Sequence, residues 1–116
     1  MQFENCTQLY SNNKGSVWQD NRGRGFWLDW EGRFSFFRYP TYVDFSRHVG
    51  SIDLEAMVMD TSAQGDFTIF SPRNSERLFV LSLCEAWHLK DLLSGAQTML
   101  DLHRIVQERL YSFALV

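Results

Sequence analysis

Cys84 and His88 stand one helical turn apart, a spacing that lets an imidazole lower the pKa of a thiol near a helix N-terminus and turn it into a nucleophile. They form the one nucleophile–base pair the chain offers, and a small thiol-dependent enzyme built on them is one reading of the sequence. The plainer alternative is a cysteine buried at the start of a helix. His48, His88 and His103 fall on separate expected elements, and none is followed three or four residues later by a second nitrogen or sulfur ligand. No metal site and no cofactor is therefore expected. Asp20, Asp29 and Glu31 raise the question of paired carboxylates for glycoside chemistry, which requires a fixed separation. Alternation places Asp20 and Asp29 on different strands, and solvated charges account for them more simply.

The stretch Gly15–Tyr39 carries a different kind of chemistry. Trp18, Phe26, Trp27, Trp30, Phe34, Phe36, Phe37 and Tyr39 are interleaved there with Arg22, Arg24, Arg33 and Arg38, whereas ordinary surface segments are poor in aromatics. Arginines hold phosphates while aromatic faces stack on bare bases, so Trp18, Phe26 and Trp27 with Arg22 and Arg24 suggest single-stranded nucleic-acid binding. Arg22-Gly23-Arg24-Gly25-Phe26, preceded by Gly15-Ser16-Val17-Trp18, resembles the first nucleic-acid-binding motif of cold-shock domains over about a dozen residues. Arg24 stands where that family has a stacking aromatic, Trp27-Leu28-Asp29 replaces its aliphatic continuation, and no second aromatic–histidine–aromatic strand follows.

Over most of its length the chain resembles a family of small uncharacterised proteins from Bacteroidetes. The resemblance is carried by the Asn21-to-Phe26 strand entry, by Phe34-Ser35-Phe36-Phe37 leading to a helix with Tyr42 and Phe45, and by Leu92-Leu93-Ser94-Gly95-Ala96. These are packing motifs; they imply an α+β domain and no particular activity.

Composition narrows the classes further. The chain has 116 residues, 45% of them hydrophobic and 16% aromatic, enough apolar surface for one core and a single domain spanning 1–116. A net charge of -3 and a pI near 5.5 argue against nucleic acid as the partner, since such binders usually carry a basic excess. Cys6 and Cys84 lack the spacing of a disulfide scaffold or a zinc site and read as free thiols of a reducing compartment. No segment approaches the ~20 apolar residues of a membrane span, and no basic start precedes an apolar run. A cytoplasmic protein away from membranes is expected.

The elements that must position these residues follow from periodicity. Strands are expected over Phe3–Tyr10, Ser16–Asp20, Phe26–Trp30, Arg33–Tyr39, Phe67–Ser71 and Arg77–Leu83, the last so continuously apolar that a central, covered position is implied. Gly23 and Gly25 mark a loop that needs positive φ or close backbone approach. At Glu31-Gly32 two registers compete. A two-residue turn pairs Trp30 with Arg33 and leaves Trp27, Phe34 and Phe36 on one face. A three-residue loop bulged at Gly32 pairs Asp29 with Arg33 and gathers Phe26, Leu28, Phe34 and Phe36 on one apolar face. Because a one-residue slip inverts every side chain, burial favours the bulged register.

Pro40, with Thr41 and Asp44 as a capping box, opens a helix burying Tyr42, Phe45 and Val49 and closing at Gly50. A short helix is expected from Asp53. Ser82 and Glu85 cap a long last helix whose stripe comprises Leu89, Leu92, Leu93, Ala96, Met99, Leu100, Val106 and Leu110, with a break expected at Ser94-Gly95.

The expected fold is α+β: an antiparallel sheet of four to six strands packed on one face by a long C-terminal helix and a shorter central helix. The expected function is a non-enzymatic binding or protein-interaction module. Arg22, Arg24, Trp27 and Phe37 form its binding residues, and a homo-oligomer or another protein is the partner.

Overall fold

The computed structural model describes residues 5–59, 67–70 and 79–114. The expected strand start at Phe3, the loop Thr61–Asp66, the turn Pro72–Glu76 and the strand start at Arg77 lie outside these. Four strands, β1 (Cys6–Ser11), β2 (Gly15–Asp20), β3 (Gly25–Trp30) and β4 (Arg33–Arg38), form an antiparallel meander in the order β1-β2-β3-β4. They are followed by α1 (Tyr39–Gly50), α2 (Leu54–Met59), the hairpin β5 (Phe67–Phe70) with β6 (Phe79–Ser82), and α3 (Leu83–Ala114). The four-stranded sheet packed against a long C-terminal helix and shorter helices is the α+β architecture that periodicity implies. The β5–β6 pair is a separate two-stranded sheet. β6 is thus not a central strand: Leu81 is buried and Val80 is half exposed, the alternation of a strand covered on one side only.

One face of the sheet is the core. Leu9, Val17, Phe26, Leu28, Trp30 and Phe37 meet Tyr42, Phe45 and Val49 of α1 and Leu89, Leu92, Leu93 and Ala96 of α3. α3 lies over β1 and β2, and α1 lies over β3 and β4. Stacked rings join the layers, Phe26 on Tyr42 at 4.1 Å and Phe37 on Phe45 at 4.8 Å between centroids.

The β3–β4 turn overturns the bulged register. Trp30 pairs with Arg33, Leu28 with Ser35 and Phe26 with Phe37, around a two-residue turn with Glu31 at φ 52° and Gly32 at φ 82°. Two consecutive left-handed residues give the turn whose twist matches that of the strands, and the Asp29 carboxylate accepts the Gly32 N–H at 3.1 Å. The expected Asp29–Arg33 pairing gives way to Asp29 opposite Phe34. This register forgoes the burial of Phe34 and Phe36 because the cover is short. α1 leaves directly from the end of β4, so its rings reach Phe37 and leave Arg33 exposed and Ser35 half-buried.

Helix ends follow local chemistry with one correction. Ser82 and Glu85 form the expected capping box, the Glu85 N–H donating to Ser82 Oγ at 3.2 Å and the Ser82 N–H to Glu85 Oε1 at 3.1 Å. Asp53 caps α2 by accepting the Ala56 N–H. Thr41 and Asp44 do not cap α1: the helix begins at Tyr39, with Arg38 extended at the N-cap and proline in the first turn. The helix does end at Gly50 as expected, with Ser51 as the C-cap at φ -84°.

α3 runs unbroken through Ser94-Gly95 for 32 residues, about 48 Å. The glycine there serves packing, since a Cβ at Gly95 would come within 2.6 Å of the Tyr10 ring. β1 is seated on the helix at this point, and Asn12 Nδ2 donates to the His88 carbonyl at 2.9 Å. Beyond Leu100 the helix leaves the sheet. Leu102, Ile105, Val106, Leu110 and Tyr111 are exposed, from 47% at Val106 to 69% at Tyr111.

Candidate functional site on the outer sheet face

The register that buries Phe37 turns Phe34 and Phe36 outward, and the opposite face of the sheet is where the remaining aromatics collect. Trp18 of β2 lies opposite Trp27 of β3, and Trp27 opposite Phe36 of β4. The result is a row of three aromatic side chains across adjacent strands, with Phe34 beside it at 42% exposure and Phe36 at 39%. Trp27 and Phe36 pack at 5.0 Å with planes tilted by 57°. The Trp18 indole is oriented from its own strand, donating to Ser16 Oγ at 2.9 Å. Neither α1 nor α3 covers this face, because both pack on the other one.

Two residues along the strands from this row, a distance of about 7 Å, the surface turns cationic. Gly25 pairs with Arg38, and Arg24 precedes Gly25. The loop Asn21–Arg24 is folded around the Asp20 carboxylate, which is 3% exposed. It accepts Arg24 Nε at 2.9 Å and the backbone N–H groups of Arg22 and Arg24 at 3.3 and 3.4 Å. The Arg24 hydrogen bond and these N–H groups hold the Asp20 carboxyl below its usual range. The pairing uses Nε and fixes the direction of the guanidinium, whose side chain remains 66% exposed. Gly23 supplies the left-handed residue the loop requires, at φ 77°. Gly25 permits close backbone approach, since a Cβ there would collide with the Phe37 carbonyl.

Arg24, Trp27, Phe36 and Arg38 line a shallow, open pocket of about 480 Å³. Its floor is aromatic and its sides are guanidinium groups, the chemistry that binds a planar or apolar group bearing negative charge. No ion pair of Arg38 is present among the described residues.

Of the residues singled out from the sequence, Arg24 and Trp27 line this pocket and Arg22 lies in the adjoining loop. Phe37 does not belong to it: at 2% exposure it is a core ring stacked on Phe45, and Phe36 takes the place assigned to it. Phe26 is buried as well and cannot stack on a ligand. Arg38 and Phe36 are the residues that sequence reasoning missed. Both follow from the two-residue turn, which sets every outward residue of β4.

The other constellations dissolve. His88 Nδ1 lies 2.7 Å from the Cys84 carbonyl oxygen and 3.5 Å from its sulfur. A carbonyl only accepts, so Nδ1 carries the proton and has no lone pair left for the thiol. Cys6, the other free cysteine, has its thiol pushed up by burial and by the neighbouring Asp20 charge. His88 and His103 share α3, about 22 Å apart, and no group of three metal-ligating side chains occurs among the described residues. Glu31 is paired with Lys14 at 3.4 Å. No described helix is long and apolar enough to cross a membrane.

No protein-family model, curated protein or solved structure matches the chain.

Proposed function

We propose that this chain is a non-enzymatic binding module of the cytoplasm whose working surface is the outer face of the four-stranded sheet. The observation that carries the reading is the row Trp18–Trp27–Phe36, left partly open to solvent and ending in a pocket between Arg24 and Arg38. Large apolar side chains gathered on a face that α1 and α3 do not pack against, with Phe34 and Phe36 exposed, mark binding surfaces. The arginines give such a surface charge selectivity. Against catalysis stands the use of His88 Nδ1–H by a main-chain carbonyl, which removes the base from the thiol–imidazole pair.

The test needs no natural ligand. An anilinonaphthalene sulfonate dye, planar and anionic, should bind the folded protein saturably, and Phe36→Ser should abolish that binding while leaving the melting temperature within about 2 °C. Equal dye binding by the variant would remove the face from consideration.

A second reading concerns assembly and rests on α3. Leu89, Leu92, Ala96, Met99, His103, Val106 and Leu110 alternate at three- and four-residue intervals, the pattern of a helix-pairing seam. The first three are buried against the sheet and the last two are exposed. A homo-oligomer formed by pairing of these distal halves covers the stripe.

A further inference from the structure

Resting on the reading of the outer face as a binding surface, we infer that the pocket between Arg24 and Arg38 takes a nucleotide unit. The base lies on Trp27 and Phe36, and the phosphate lies between the two guanidinium groups. Three features of the site select this chemistry over an acidic peptide or a second protein surface. The pocket is wide and open and is lined by two mutually tilted aromatic rings, which suits a flat aromatic group packed against one ring and edged by the other better than a side chain that needs a deep socket. The cationic groups sit at one end only, about two residues along the strands from the rings, so charge and stacking are offered side by side. The anion-binding groups are also preset: Arg24 is held by the buried Asp20 through Nε, which leaves its outer nitrogens facing solvent for an oxyanion.

The aromatic row continues from Trp27 to Trp18 on the neighbouring strand, about 5 Å further. A second base can therefore follow the first across the sheet, with Arg22 at the same cationic end. The chain's net charge of -3 does not oppose this locally. Among the described residues Asp20 is the carboxylate paired with this arginine group, through Arg24, and Asp29 and Glu31 lie beyond the opposite side of the row, where they repel a backbone running the wrong way. The shared ligand chemistry is a base joined to a phosphate, and its two sources are a free nucleotide and a single strand.

Tryptophan fluorescence separates them. The protein is titrated with oligothymidylate of eight nucleotides and, separately, with adenosine monophosphate, at low and at moderate salt. Trp18 and Trp27 lie on the outer face, whereas Trp30 is in the core and Trp87 is on α3, so saturable partial quenching is expected. Quenching by the oligonucleotide that exceeds that by the monophosphate and weakens with salt assigns a single strand; equal quenching assigns a free nucleotide. In either case Trp27→Ala and Arg38→Glu should each weaken binding about tenfold or more. Arg38→Glu is preferred to an Arg24 variant because it leaves the Asp20–Arg24 pair intact. Quenching unchanged in both variants overturns the assignment. So does absence of quenching at low salt in protein that still binds the sulfonate dye, an outcome that retains the face as a binding surface for another partner. Absence of both signals overturns the surface and the ligand together.

Discussion

Replacing Phe37 with alanine removes a ring that is 2% exposed and stacked on Phe45, and should cost about 3–5 kcal/mol of stability in chemical denaturation. The same change at Phe36, one residue earlier, removes a ring that contacts Trp27 on an open face, and should cost under about 1 kcal/mol. The contrast tests the register directly, because the bulged alternative reverses the two values. The alternation of residues 33–37 points to the bulged register, because it would gather Phe34 and Phe36 with Phe26 and Leu28, and the observed pairing overrides it. The decision lies in the turn and in how far α1 reaches, and neither is written in hydrophobic pattern. At Asp20 the sequence showed an acid beside arginines but not that the chain wraps around it. Its folded-state pKa is depressed, chiefly by the Arg24 hydrogen bond. The unfolded chain therefore takes up the proton first as pH falls, and the contribution is present above about pH 4 and lost as pH drops through the folded value. Asp20→Asn should lower the melting temperature at pH 7 and narrow the difference from wild type at pH 3; an unchanged melting temperature at pH 7 would contradict this role.

At the scale of elements, α3 holds the molecule together and its glycine tests how. In an exposed helix interior Gly→Ala gains about 1 kcal/mol from propensity. At Gly95 the new methyl meets the Tyr10 ring near its root, where rotation offers little escape, so Gly95→Ala should instead destabilise by about 1–3 kcal/mol. A double-mutant cycle with Tyr10→Ala should show that the penalty belongs to this pair. The apolar stripe, the capping box at Ser82–Glu85 and the start at Leu83 were all legible. The break expected at Ser94-Gly95 does not occur, because the contact with β1 uses the smallness of Gly95 and not its flexibility. The unbroken length of 32 residues was not legible, since a helix outrunning the sheet implied a break, and its distal residues are instead exposed.

The whole molecule measures 61 × 30 × 25 Å, and its long axis reflects the helix that outruns the sheet. If the distal stripe is a seam between copies, sedimentation should give a concentration-dependent dimer, and Leu110→Glu should return it to monomer without lowering the melting temperature of the monomeric state; a wild-type monomer at every concentration would remove this reading. Such pairing places the seam on α3 and leaves the outer sheet faces of both copies open. The α+β class and the order of elements could be read from periodicity. The site was half legible: Arg22, Arg24 and Trp27 stood out by type, while Phe36 and Arg38 needed the strand pairing that brings them beside Trp27. The outer sheet face is proposed as the surface where a ligand binds, with the α3 stripe left to pairing between copies. Two-dimensional NMR of the four indole N–H groups, with the sulfonate dye added to uniformly labelled protein, tests it most directly. The account predicts saturable shifts of Trp18 and Trp27 with Trp30 and Trp87 unmoved; shifts confined to Trp87, or spread equally over all four, would contradict it.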